Sequence, residues 1–302
     1  MLQTIPVLKL NDFVGAGSES RAQFARGIGA ALTEIGFFAL EEHGVPADCM
    51  AAAYQAAEKF FLLPEQTKKN YITGRGGQRG YTSFGKEHAK DATAPDLKEF
   101  WHVGRDCALS PSEVPEFLPA MRRLYQKLDE CSLHLLDAIS LFIGEDESFL
   151  RDAATDGNTV LRVIHYPPVA PDRNPQSIRA APHEDINLIT LLCEATGAGL
   201  ELLKKDGTWL PIHSLKGQII VDAGDMLQQW TNGWIKSTTH RVVNPANDRE
   251  RRFSMPFFVH PRSEVDISAR PHSIAQTGGR KNFPDISSGE YLEKRLREIG
   301  LY

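Results

Sequence analysis

Apolar residues recur at helical spacing in several stretches of the chain. Phe24, Ile28, Leu32 and Ile35 form one stripe behind a Ser20/Gln23 capping-box pattern, and Gly36 ends it. Pro46 opens a second helix running through Ala57 to Phe61, and Pro64 breaks it. The longest stripe is Phe117, Met121, Leu124, Leu128, Leu135, Ala138 and Phe142, ending near Gly144. A last amphipathic helix is predicted over residues 291–299. Residues 5–8 are a short apolar run able to start a sheet, and residues 37–40 read as a buried strand. Beyond Thr159 the pattern shortens to runs of β-formers: residues 160–166, 186–192, 200–203, 218–221, 226–230, 241–243 and 253–259. Asp206-Gly207, Asp222-Ala223-Gly224, Asn232-Gly233 and Asn244-Pro245 supply the turns between them.

Many short strands at this spacing predict a sandwich or barrel. The fold class is therefore α+β with a mainly β core. One domain is expected, with a helix-rich part (1–150) wrapped on a β-rich catalytic core (151–265), then a closing loop and helix (266–302). Residues 73–96 break the pattern. Gly74, Gly76, Gly77, Gly80 and Gly85 sit among Arg75, Arg79, Lys86 and Lys90, which predicts a long loop of functional use.

Composition narrows the classes of function. A formal net charge of −5 argues against a surface built to coat nucleic acid or anionic membrane. The mixed-sign cluster from Asp248 to Arg252 reads as a solvated turn. Cys49, Cys107, Cys131 and Cys193 are scattered without a CxxC pair, as in a reducing compartment. With no secretory leader pattern and no membrane-length apolar run, a cytoplasmic location is expected.

The chemistry concentrates late in the chain. His183 and Asp185 lie two apart before a predicted strand. In extended backbone both would face one side while Glu184 points away. His240 begins another predicted strand. Two imidazoles and a carboxylate on one face leave the opposite coordination positions of an iron(II) ion open. A zinc site would use the same residues, and so would a turn pair plus a core histidine. Arg252 and Ser254 share a strand face beyond His240. A guanidinium fork with a hydroxyl suits a dicarboxylate tail.

These motifs occur in order with Ile5-Pro6-Val7, Gly36-Phe37-Phe38, His43-Gly44-Val45, Tyr166-Pro167-Pro168, Gly224-Asp225, Asn232-Gly233 and His240-Arg241-Val242. Taken together, the chain resembles the isopenicillin N synthase-like family of 2-oxoglutarate- and Fe(II)-dependent dioxygenases. The resemblance implies a double-stranded β-helix (jelly roll) with His183, Asp185 and His240 as iron ligands. It implies that Arg252, Ser254 and Tyr166 bind the far carboxylate of 2-oxoglutarate, with O2 as oxidant and ascorbate as an assisting reductant. A small-molecule substrate would be hydroxylated, desaturated or cyclised, releasing succinate and CO2. Some members of the family use the arginine–serine pair for a substrate carboxylate and no 2-oxoglutarate, and a non-catalytic metal- or ligand-binding jelly roll is a further alternative. Segments flanking the site in this family make Arg79, Tyr81, Phe84, Phe100, His102 and Phe257 candidate substrate contacts. One departure is Ile164, where many relatives carry asparagine. The other histidines, His213 and His260 among them, are assigned no metal role.

Overall fold

The computed structural model describes every residue except 1–4, 75–77, 91–93, 170–173, 175, 213–216, 246, 248 and 302. Gly76, Gly77, His213 and Asp248 thus lie outside the described residues. The strands in chain order are β1 (Val7–Lys9), β2 (Phe37–Glu41), β3 (Gly80–Thr82), β4 (Glu99–Gly104), β5 (Val160–Tyr166), β6 (Ala180–His183) and β7 (Ile189–Leu192). They continue with β8 (Leu200–Leu203), β9 (Trp209–Pro211), β10 (Ile219–Ala223), β11 (His240–Val242), β12 (Arg252–Ser254) and β13 (Pro256–Val259). The helices are α1 (Ser18–Glu34), α2 (Ala47–Phe61), α3 (Glu65–Lys69), α4 (Phe117–Phe142), α5 (Phe149–Ala154), α6 (Asp225–Trp230), α7 (Pro271–Gln276) and α8 (Ser288–Glu298).

A nine-stranded sheet runs β1-β2-β10-β7-β13-β5-β4-β3, with β12 also paired to β5, and a four-stranded sheet runs β6-β11-β8-β9. Strands of the large sheet send alternate residues to two different buried layers. Phe38, Leu40, Leu161, Val163, Val221 and Phe257 join a core shared with α1, α2 and α4. Phe37, Ala39 and Ile220 turn the other way, onto Leu200 and Leu202 of the small sheet. Both faces are covered, which is why residues 37–40 read as an unbroken apolar run. Two facing sheets with helices outside are the jelly-roll architecture. Strands β1 to β4 come from the first 150 residues, so that half supplies part of the large sheet as well as the helices.

Where local pattern and structure part, a physical reason is visible. Residues 226–230 form α6, not a strand. Five residues, Met226-Leu227-Gln228-Gln229-Trp230, are too few to show a period, and Gly224 in extended conformation with Asp225 in the first turn starts a helix. The Ser20/Gln23 capping box is not used. Helix α1 begins at Ser18 after Gly17, and the Ser20 hydroxyl donates to the Asp12 carbonyl at 2.7 Å. A capping box does form at Ser287/Glu290, where it starts α8. Gly36 has φ +84°, and a Cβ there would collide with Thr238, so helix stop and close packing both require glycine. The 73–96 stretch contains β3, whose partner is β4.

Candidate metal centre and co-substrate pocket

His183 is the last residue of β6, and His240 of β11 lies directly across from it in the antiparallel ladder. Asp185 follows in the turn leading to β7. The expected strand start at 186 is pushed back to Ile189. The three ligand atoms fall within 4.8 Å of one another. Asp185 Oδ1 lies 3.9 Å from His183 Nε2 and 3.8 Å from His240 Nε2. Glu184 turns out of the cluster and accepts from the Thr239 hydroxyl.

Hydrogen bonds prepare these side chains for a metal. His183 Nδ1 lies 2.7 Å from the Ala181 carbonyl, and His240 Nδ1 lies 3.1 Å from that of Thr238. A carbonyl only accepts, so each Nδ1 carries the proton and each Nε2 lone pair is left for a ligand bond. Burial, and then the adjacent His240, push the His183 pKa down to about 4, so it is neutral at physiological pH. Thr190 donates to Asp185 Oδ2, leaving Oδ1 turned to the imidazoles. Burial, and then the Asp185 charge, push the Asp222 pKa well above the usual carboxylate range. Two neutral imidazoles and one carboxylate are a donor set that fits a divalent ion such as Fe(II).

The triad opens into a cavity of about 240 Å³ between the sheets. Tyr166, Arg252 and Ser254 line the same cavity, with Arg252 opposite Tyr166 and Ser254 opposite Ile164 in the β5–β12 ladder. Arg252 is 2% exposed, donates through Nε to the Gly197 carbonyl at 2.9 Å, and its Nη1 is buried without a partner among the described residues. An orphaned guanidinium nitrogen is costly unless a ligand anion takes it. The donor suits the distal carboxylate of 2-oxoglutarate. Arg179, which sequence reasoning missed, adds a second buried guanidinium beside the first. The Tyr166 ring lies 5.1 Å from Arg252 Cζ and 5.8 Å from Arg179 Cζ. Neither arginine has a carboxylate partner among the described residues. Burial, and then Arg252, lower the Arg179 pKa.

The expected substrate contacts divide. His102 lines the cavity. Arg79 does not, because its guanidinium is committed to Asp106 at 2.7 Å and Asn158 at 2.9 Å, against Gly104. Tyr81 points to the helix side of the sheet, against Phe60, with its hydroxyl on Glu99. Phe84 is 48% exposed on the surface. Phe100 faces the cavity side but lies beneath the Arg162 guanidinium, 4.3 Å away. Phe257 packs on Tyr125 in the helix-side core, while its neighbours Pro256 and Phe258 line the cavity. Phe257 stands on the opposite strand face from Ser254, so alternation turns it away from the cavity. Counting in twos from Ser254 yields Pro256, Phe258 and His260. Counting back from Tyr166 yields Ile164, Arg162 and Val160. All six line the cavity, so alternation was the signal that locates them.

His260 offers a test away from the triad. Its Nδ1 donates to the Phe258 carbonyl at 3.2 Å, and burial pushes its pKa down to about 4. The unfolded chain protonates this group near pH 6.5 and the native state only near 4. Its contribution is therefore complete above pH 6.5 and is lost as pH falls through that window. We expect about 2 kcal/mol of lost stability at pH 5 from this group. Urea unfolding at pH 7 and pH 5 should show His260→Gln losing correspondingly less than wild type. Equal losses would count against the assignment.

The comparisons with known proteins agree with this geometry. Residues 5–121 match the family described as non-haem dioxygenase in morphine synthesis N-terminal, and residues 157–261 match the 2OG-Fe(II) oxygenase superfamily. Gibberellin 20 oxidase 2 of Oryza sativa subsp. indica is 32% identical over 95% of this chain and 74% of its own. A solved 2OG-Fe(II) oxygenase family protein from Caulobacter crescentus is 36% identical, with TM-score 0.85 over 97% of this chain and 98% of its own. A full-length Neurospora crassa protein, solved in complex with alpha-KG, is 28% identical with TM-score 0.86, over 97% of this chain and 95% of that one. With sequence, fold and a His-Asp-His cluster in agreement, the chain belongs to the 2OG-Fe(II) oxygenase superfamily, whose members are 2-oxoglutarate- and iron-dependent dioxygenases.

Proposed function

We propose that His183, Asp185 and His240 hold Fe(II), that Arg252, Ser254 and Tyr166 receive the far carboxylate of 2-oxoglutarate, and that a small organic molecule is oxidised beside them. The observation that carries this is one cavity containing both a tautomer-fixed triad and a buried, carboxylate-free Arg252. When bound, iron and 2-oxoglutarate supply the oxidation, with O2 consumed and succinate and CO2 released. The protein's part is positional. Backbone carbonyls orient both imidazoles, Thr190 orients Asp185, and Arg252 sets the direction of the co-substrate. The unpartnered Arg252 nitrogen calls for a carboxylate, and the match to the 2OG-Fe(II) oxygenase superfamily favours 2-oxoglutarate over a substrate carboxylate as its source. Succinate formation from 2-oxoglutarate with Fe(II), ascorbate and air tests it, and no succinate with any substrate panel would refute it. Four buried cysteines without a disulfide suit the cytoplasmic, reducing placement expected above. No helix among the described residues is long and apolar enough to cross a membrane.

Closure belongs to the same proposal. Leu292, Arg295, Leu296 and Ile299 at the C-terminal end wall the cavity, opposite Glu87, His88 and Lys90 of the glycine-rich stretch. The two pieces touch: Lys90 lies 3.5 Å from Glu298, and His88 N donates to the Ile299 carbonyl at 3.5 Å. Asp225 latches α8 to the core, accepting from Tyr291 at 3.1 Å and pairing with Arg295 at 3.4 Å. Substrate saturation of the Fe(II)·2-oxoglutarate complex under nitrogen should raise amide protection in residues 78–90 and 288–299. Unchanged protection in both segments would leave them as ordinary walls.

A further inference from the structure

One end of the cavity is built from charges that cancel. Arg162 donates through Nη1 to both Glu87 oxygens, at 3.0 and 3.1 Å, and through Nε to His102 Nε2 at 2.6 Å. Lys98 bridges Glu87 at 2.7 Å and Asp96 at 2.8 Å. Burial opposes the ionised form of Glu87, yet Arg162 and then Lys98 hold its pKa well below the ordinary value. Two cations thus meet two carboxylates, all four nearly buried. The contrast with the other end is sharp, because neither Arg252 nor Arg179 forms an ion pair with a carboxylate among the described residues.

Three groups on the cavity face of β5 and β13 remain to meet a ligand. Arg162 Nη2 has no partner among the described residues, and its donors are fixed in plane by the two bonds the rest of the fork makes. His260 donates its Nδ1 proton to Phe258, so its Nε2 is an acceptor, and the residue lies near enough for the Asp185 charge to act on it. The Phe258 ring lies between them along the strand, only partly buried, 5.2 Å from Arg162 Cζ.

We infer that Arg162, His260 and Phe258 form the substrate subsite, and that it selects an uncharged molecule with a flat apolar face, a hydrogen-bond acceptor for Arg162 and a donor for His260. This deepens the dioxygenase reading and depends on it. An anion finds no uncompensated cation here, and a cation would have to break the Glu87 pairs, so either ion is desolvated without return. A neutral amide-like group makes both hydrogen bonds and leaves the cluster intact.

Benzamide, benzoate and benzamidinium share one shape and differ in charge, so they isolate the claim. Each is titrated into the Fe(II)·2-oxoglutarate holoenzyme under nitrogen and followed by ligand-observed NMR, after 2-oxoglutarate binding has been measured on the same sample. Benzamide should bind at least about fivefold more tightly than either ion. Arg162→Lys keeps the charge that Glu87 requires and removes the planar fork. It should weaken benzamide roughly tenfold and leave 2-oxoglutarate affinity unchanged. Phe258→Leu should weaken benzamide without disturbing the ionic cluster. Preference for benzoate or benzamidinium, or no benzamide binding to protein that does bind 2-oxoglutarate, overturns the inference. Failure of 2-oxoglutarate itself to bind overturns instead the dioxygenase reading beneath it.

Discussion

His183→Ala, Asp185→Ala and His240→Ala each lose bound iron and all 2-oxoglutarate-dependent oxidation. Affinity for Fe(II) falls by at least about a hundredfold, because outer-shell partners alone are commonly worth ten- to a hundredfold. The fold should survive. His183 and His240 sit at strand ends, with Nδ1 bonded only to a carbonyl two residues away. Asp185 raises the pKa of the buried Asp222 beside it, so its removal unburdens a crowded acidic pair. Metal content after iron reconstitution, circular dichroism and succinate release are the three measurements. Two of these variants keeping wild-type iron and turnover would show the triad assignment to be wrong.

Arg252→Ala raises the 2-oxoglutarate concentration needed for half-maximal turnover by roughly ten- to a hundredfold, the value of one charge-assisted anchor of about 1.5–3 kcal/mol. Iron binding stays within a few-fold of wild type, since no metal ligand bonds to Arg252. The cost to folding should be small. Arg252 is a buried cation held by a single carbonyl, and removing an unpaired charge does not orphan a carboxylate. This separates it from Arg162→Ala, which would strand Glu87. Succinate formation against 2-oxoglutarate concentration, with urea unfolding alongside, reads both quantities. An unchanged co-substrate requirement would remove Arg252 from the site, and full turnover without any 2-oxo acid would favour the oxidase that uses none.

The substrate end was the least legible part of the chain. Arg79 and Phe84 looked like pocket residues from a glycine-rich loop. Asp106 and Asn158, both distant in sequence, claim the first, and the second stays on the surface. Phe257 missed by a single residue, although alternation from Ser254 points to Pro256 and Phe258 instead. Arg179 carried no local signal at all. Its importance arises only because β5 and β12 bring Tyr166 and Arg252 against it.

What the residues alone determined follows from short-range rules. Period and turn chemistry placed β5 and β8 and the extent of α4. The two-residue spacing of Arg252 and Ser254 puts both on one face of β12, whereas Asp185 comes to His183 from the turn after β6. Only the tertiary structure decided the rest. The β6–β11 register sets His240 opposite His183, the facing sheets enclose the cavity, and the Glu87, Lys98, Asp96 and Arg162 charges cancel at one end of it. The reason is physical. A side chain's direction is local, but its burial, partners and protonation depend on residues that only folding brings within a few ångströms.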